Sequence, residues 1–385
     1  MDDNDDGKGW SEKDLGSACG EPVFAGLRPG LSARWCLGRG VGCVALIGMT
    51  VACDEPASVL PVETTDVVEE SQDVGQSFVG TWTLARVERY DQSGTALPDF
   101  VHPEIGSGKP LGYLMYDGER MALAVQQEGR MASVGNALTP EGALAAVESY
   151  SAYFGPYSVD VANGYLSHQV AGSLNPSGAG GETQLFYELS SNELVLTPSL
   201  QCPDSFLTDR GCGYGTTGVQ LRNIWEKLDP VAVDAIDSRF FGFWQIDRIE
   251  RQTLDDGAVP TPQYAEGYLV YMPSGLMSVQ LMRSDRVPYE GVRPTLMEAN
   301  DTMQNYVSYF GSFSVDSAEG VVVHRPDGHL NPNKVGVDTS RAFEFREDQL
   351  VLELPVLTSE APEVRTFVYW DRFSAVVRDQ VMSGR

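Results

Sequence analysis

Apolar and polar positions alternate with period two through several short stretches of this chain, the pattern of strands that bury one face. In "TWTLARVER" the positions Trp82, Leu84, Arg86 and Glu88 share a face, and in "WQIDRIER" the same places hold Trp244, Ile246, Arg248 and Glu250. "YSVDVANGYLSH" sets Asn163-Gly164 between two β-prone runs, a hairpin signal, and "FSVDSAEGVVVH" repeats it with Gly320. One helix is predicted in each half. Thr139-Pro140-Glu141 supplies a cap, a first-turn proline and a first-turn acid before "ALAAVESYSAYF", and "TLMEANDTMQNYVSYF" from Thr295 is its counterpart. Gly155 and Gly311 stand where such helices are expected to end, with a hairpin following.

These coincidences belong to a tandem repeat. "YFGPYSVD" at Tyr153 returns as "YFGSFSVD" at Tyr309, 156 positions later. "FVGTWTLARVER" from Phe78 answers to "FFGFWQIDRIER" from Phe240, "GYLMY" from Gly112 to "GYLVY" from Gly267, and "GSLNP" from Gly172 to "GHLNP" from Gly328. "NELVL" matches "DQLVL", and "WEK" at Trp225 matches "WDR" at Trp370. A period this long makes each copy a complete domain rather than a solenoid unit. The copies are placed at 78–229 and 240–376. Many short strands with a single helix predict an all-β fold, two tandem antiparallel β-barrels, because closure removes exposed sheet edges. An open sandwich shares the same periodicity.

The glycine-x-tryptophan pairs at Gly80 and Gly242 resemble the signature that opens the first strand of lipocalins. The ordered set Gly-Tyr-Leu-x-Tyr, Tyr-Phe-Gly-x-aromatic-Ser-Val-Asp and His-x-x-x-Gly-x-Leu-Asn-Pro resembles the bacterial and fungal lipocalin-like domain family over nearly all of both copies. The resemblance implies small-molecule-binding barrels. It also implies a rival: other tandem lipocalin-like chains, such as carotenoid hydratases, carry out acid-base chemistry of the hydratase, isomerase or cyclase type. Filled barrels serving a structural role are the third reading.

Ahead of the repeats the character changes. Arg28, Arg34 and Arg39 precede the apolar run Val41 to Ala52, which ends at Cys53. That layout is the one expected of a secretory signal, too short to span a bilayer, with a buried apolar segment of an intracellular protein as the alternative. With a small residue before the cysteine, residues 1–53 resemble a bacterial lipoprotein signal whose Cys53 is lipidated, which implies export to the cell envelope and contact with the membrane through the lipid alone. Residues 54–77 hold seven acidic residues and no basic one, a composition expected to form a disordered tether. The whole chain has 27 Lys and Arg against 54 Asp and Glu, a net charge of -27, which argues against nucleic acid as a partner.

Candidate ligand-binding residues follow from the repeated positions. In the second copy they are Arg248, Tyr268, Met277, Val279, Leu281, Tyr309 and His324; in the first, Arg86, Tyr113, Met121, Leu123, Tyr153 and His168. His168 and His324 each sit on an apolar strand, where a hydrogen-bonded structural histidine competes with one that faces a ligand. Arg86 and Arg248 have an acid two residues along, Glu88 and Glu250, so local pairing competes with anion binding. Cys202 and Cys212 close a short loop in the first copy alone, which in an exported protein reads as a disulfide. One repeated histidine per domain falls short of a metal site, no cofactor motif is present, and no Ser-His-Asp order appears, which favours binding a small apolar or amphipathic molecule over catalysis. The intact turn and "LNPN" segment of the second copy place the main pocket there.

Overall fold

The computed structural model describes residues 74–198 and 220–373, apart from short segments at 92–94, 98–109, 131, 133–137, 232–235, 254–260, 262–263, 292 and 356–363. Cys53, Cys202 and Cys212 lie outside the described residues, as do residues 1–73. The segment expected to be a tether through residue 77 is ordered at its end: residues 74–78 are helical, and Val74 and Phe78 pack into the core of the first copy.

The first copy comprises β1 (Gly80–Tyr90), β2 (Pro110–Tyr116), β3 (Arg120–Gln127), a helix (Pro140–Glu148), β4 (Tyr150–Asp160), β5 (Tyr165–Gln169), β6 (Gly172–Ser173), β7 (Glu182–Leu189), β8 (Glu193–Pro198) and β9 (Gln220–Leu228). Its sheet runs β3-β2-β1-β9-β8-β7-β5-β4-β6, and β3 also pairs with β4, which closes a ring with the short β6 at the side of β4. The second copy repeats the order with β10 (Gly242–Thr253), β11 (Glu266–Tyr271), β12 (Leu276–Met282), a helix (Leu296–Asn305), β13 (Tyr306–Asp316), β14 (Val321–His329), β15 (Thr339–Arg346), β16 (Gln349–Leu354) and β17 (Val364–Arg372). Here β10 to β17 form a closed antiparallel barrel, with β14 doing the work that β5 and β6 share in the first copy.

Both predicted caps form. Thr139 accepts from the Gly142 N–H, and Thr295 with Glu298 completes a capping box. The helices are shorter than expected. They end at Glu148 and Asn305, and the repeated phrase is strand throughout: Gly155 lies inside β4 and Gly311 inside β13 rather than at a helix C-terminus. The reason is a close backbone crossing. A Cβ on Gly311 would lie 2.1 Å from the Arg325 carbonyl oxygen, and one on Gly155 would lie 1.9 Å from that of Gln169, where β13 shifts register against β14 and β4 passes from β5 to β6. The hairpins that follow do turn where the sequence places them, with Gly164 at φ 71 and Gly320 at φ 66.

Alternation sends one set of side chains into each barrel. The first interior collects Trp82, Leu114, Tyr116, Met121 and Leu166; the second collects Trp244, Leu269, Tyr271, Met277 and Val279. One end of the second barrel is stoppered by rings: Phe240 lies 4.8 Å from Phe343, 4.9 Å from Phe345 and 5.5 Å from Tyr271. The Trp244 indole N–H donates to the Phe240 carbonyl at 2.9 Å, and Trp82 repeats this on Phe78 at 2.8 Å. In each copy the tryptophan thereby ties the segment ahead of the first strand to the barrel interior.

The outward faces of β2, β3 and β4 and of β11, β12 and β13 are also apolar, because they bury one another. Met115, Ala122 and Phe154 pack with Phe243, Tyr268 and Val270, while Tyr150 and Leu174 pack with Tyr306, Phe310 and Leu330 beside the two helices. The contact is a pseudo-twofold one. Arg130 donates to the carbonyls of His329 (2.6 Å) and Leu330 (2.8 Å), and Arg286 donates to those of Ser173 and Leu174, each member shifted by 156 positions.

Candidate functional site

The interior of the second barrel is not filled. Beyond the aromatic stopper lies a cavity of about 580 Å³, within the ~300–1,000 Å³ of small-molecule sites. Its walls are Leu269, Val279, Leu281, Leu352, Val368 and Trp370, contributed by β11, β12, β16 and β17. A band of polar groups interrupts them: Tyr309 and His324 from β13 and β14, His329 at the end of β14, and Arg341 from β15. Arg251, Tyr264, Lys334 and Thr366 line it as well.

His324 is fully buried and held at both ring nitrogens, with the Tyr271 hydroxyl 2.5 Å from Nε2 and the Tyr309 hydroxyl 3.0 Å from Nδ1. A neutral imidazole has one donor and one acceptor, so one tyrosine gives a proton to the ring and the other receives one. Burial, with a smaller contribution from the Arg341 charge, drives its pKa well below the usual histidine value. The first barrel holds the same triad: Tyr116 lies 2.8 Å from Nε2 of His168 and Tyr153 2.9 Å from Nδ1, and burial lowers this ring to about 3. A pinned neutral ring repeated in both barrels fits a structural tie near the stoppered end better than a proton shuttle.

His329 is different. Its Nδ1 accepts the Asn331 N–H at 2.9 Å, which leaves the proton of the neutral ring on Nε2. Burial first, then the charges of Lys334, Arg130 and Arg341, holds its pKa down to about 3. Its ring stacks on Tyr309 at 5.3 Å with an interplanar angle of 10°. Arg341, 8% exposed, donates to the Tyr309 hydroxyl at 3.1 Å and to the Thr339 carbonyl at 2.9 Å. Arg341, Tyr309 and His329 therefore form one contiguous polar patch on the wall.

Of the residues singled out in the sequence, Val279, Leu281, Tyr309 and His324 line the cavity. Met277 is fully buried in the packed interior and does not line it. Met121, Leu123, Tyr153 and His168 are inward residues of the first barrel, in its apolar core or in the His168 triad. Tyr268 and Tyr113 face the other way. Alternation turns Leu269 and Tyr271 inward and Tyr268 outward, where its ring meets Phe154 at 4.5 Å; Tyr113 meets Phe310 at 5.3 Å in the symmetric place. Arg86 and Arg248 are also outside. A register shift between Leu84 and Arg86, and between Ile246 and Arg248, breaks the alternation that would have carried them inward. Their side chains are 53% and 44% exposed and bond Glu88 at 2.8 Å and Glu250 at 2.7 Å, the local pairing that competed with anion binding in the sequence.

Arg341, His329 and Trp370 were missed. A signal existed for the first: in "RAFEFR" Arg341 shares its face with Phe343 and Phe345, a charge on an apolar face, and the matching first-copy residue is Leu185. His329 and Lys334 likewise replace Ser173 and Gly178. Among the described residues no cluster of three or more His, Cys, Asp or Glu is arranged to hold a metal ion.

No curated protein matches the chain at the level of sequence. Among solved structures it is similar to a protein of unknown function from the DUF3598 family of Nostoc punctiforme, at 12% identity over 79% of this chain and 99% of that one with a TM-score of 0.20. It is also similar to a mutant of the vaccine antigen transferrin binding protein B from Haemophilus parasuis, at 8% identity over 72% and 61% with a TM-score of 0.17. Scores this low say nothing of function. The family described as lipocalin-like domain matches residues 79–210 and 241–373, the two repeats whose glycine-x-tryptophan-opened sheets have just been described, and the chain belongs to that family.

Proposed function

We propose that the protein binds a small apolar or amphipathic molecule inside its second barrel, while the first barrel serves as a stabilising partner. The observation that carries this reading is the cavity of about 580 Å³, walled largely by aliphatic side chains and the Trp370 ring and interrupted by a limited set of polar groups. Enclosure by apolar walls supplies affinity, and a few fixed polar groups supply orientation. Export and anchoring through a lipidated Cys53 complete the proposal; their support is the Arg28 to Cys53 stretch of sequence.

The test is binding of a neutral apolar fluorophore, Nile red, to the delipidated full-length protein. Val279 is 3% exposed and lines the cavity, so Val279→Trp projects an indole into it and lowers the fluorescence gain. Leu123→Trp, at the matching inward position of the first barrel, leaves the signal in place. Equal signals from the wild type and a folded Val279→Trp protein would sink the assignment. Mass spectrometry of molecules that co-purify with the protein identifies the natural ligand class directly.

A further inference from the structure

Among the described residues, the charged side chains that line the cavity are Arg251, Lys334 and Arg341, with no aspartate or glutamate, in a protein whose net charge is -27. Arg341 is the informative member. It is more than nine-tenths buried, its interactions with the protein are the Tyr309 hydroxyl and ring and the Thr339 carbonyl, and no carboxylate pairs with it among the described residues. A guanidinium carries five N–H donors, and two of them are used. Burying such a charge without a counter-ion is unfavourable. The fold does not require it, since Leu185 occupies the matching position of the first barrel and is buried there in the core.

We propose that the ligand of the second barrel is a single-chain carboxylate whose head is bound by Arg341. The planar donor fork of arginine matches the two oxygens of a carboxylate. Tyr309 bridges Arg341 to His329, whose Nε2–H is a further donor on the same patch, and the buried Trp370 indole N–H, which has no hydrogen-bond partner among the described residues, also lines the cavity. The chain of the ligand lies against Leu269, Val279, Leu281 and Leu352. Lys334 and Arg251 offset locally the repulsion that a net-acidic protein exerts on an anion. This inference rests on the proposed binding function and narrows it to a ligand chemistry.

The experiment displaces Nile red from the delipidated full-length protein with dodecanoate and, separately, with 1-dodecanol, both below their aggregation limits. The acid is expected to displace the dye at a concentration at least about ten-fold lower than the alcohol, the size of one charge-assisted interaction. Arg341→Leu, which copies the first barrel, removes that preference and leaves displacement by dodecanol unchanged or tighter, which also shows that the variant is folded with its cavity open. Arg341→Lys keeps a reduced preference for the acid. Acid and alcohol displacing equally from the wild type, or a preference that survives Arg341→Leu, overturns the carboxylate proposal and leaves the cavity reading standing. Failure of Nile red to bind the wild type at all overturns the cavity reading, and this proposal with it.

Discussion

Arg130 and Arg286, 156 positions apart, reach in opposite directions across the interface between the barrels, each onto two successive carbonyls of the other copy. The exchange is reciprocal, but its consequences are not. The carbonyls held by Arg130 belong to His329 and Leu330, which line the cavity, and Gln126 Oε1 also receives the His329 N–H at 3.2 Å. The first barrel thus holds in place a wall of the second.

Arg130 is half-buried, and desolvation lowers its pKa to about 10, so it is still charged at neutral pH. It also bonds Gln126, Ala146 and Ser149. Arg130→Ala is expected to cost roughly 2–4 kcal/mol in denaturant unfolding, since it strands several buried acceptors. Arg286→Ala should cost less and leave Nile red binding intact, whereas Arg130→Ala weakens it several-fold. Equal binding by both variants would remove the case for a supporting role of the first barrel.

Acid should destabilise the protein in a defined window. His168 and His329 titrate at about 3 when folded, and His324 well below its usual value. The unfolded rings titrate near 6.5. Between these values the unfolded chain binds more protons, so stability is full above about pH 6.5 and falls as pH drops toward 3, by up to ~1.4 kcal/mol per pH unit for each ring. Urea midpoints measured from pH 7.5 to 5 should decline, and His168→Gln should make the decline shallower.

The two kinds of repeated glycine should respond differently to alanine. Gly311→Ala drives a Cβ into the fixed backbone of Arg325 and Asp327 and should cost at least about 2 kcal/mol, or prevent folding. At Gly320 nothing lies within 4 Å of an added Cβ, and the penalty is the positive φ alone, about 1 kcal/mol. Thermal melts of the two variants rank them; a Gly320→Ala protein the less stable of the two contradicts the crossing argument.

Cys53→Ser should move the protein from the membrane fraction to a soluble exported fraction. A wild-type protein found without lipid in the cytosol rules out the anchor. For Cys202 and Cys212, alkylation of protein isolated from the oxidising compartment should require prior reduction.

Much of the architecture can be read before folding. The period-two alternation, the two caps, the hairpins at Gly164 and Gly320 and the 156-residue repeat are local or self-referential patterns, and each states its own structure because it depends on backbone preference and on which face is apolar. Val279, Leu281, Tyr309 and His324 were legible as interior positions for the same reason. What alternation cannot carry is a break in its own count. Register shifts at Leu84/Arg86 and Ile246/Arg248 moved two arginines from the inner face to the outer one, and nothing in the strand composition marks a one-residue bulge. Tyr113 and Tyr268 were misplaced because both faces of their strands are apolar, one turned to its own barrel and one to the other copy. The assembly of Arg341, Tyr309 and His329 joins β15, β13 and the end of β14. Only closure of the barrel brings those strands round a common space, and whether that space is packed or open depends on how side-chain volumes sum across all the strands that surround it.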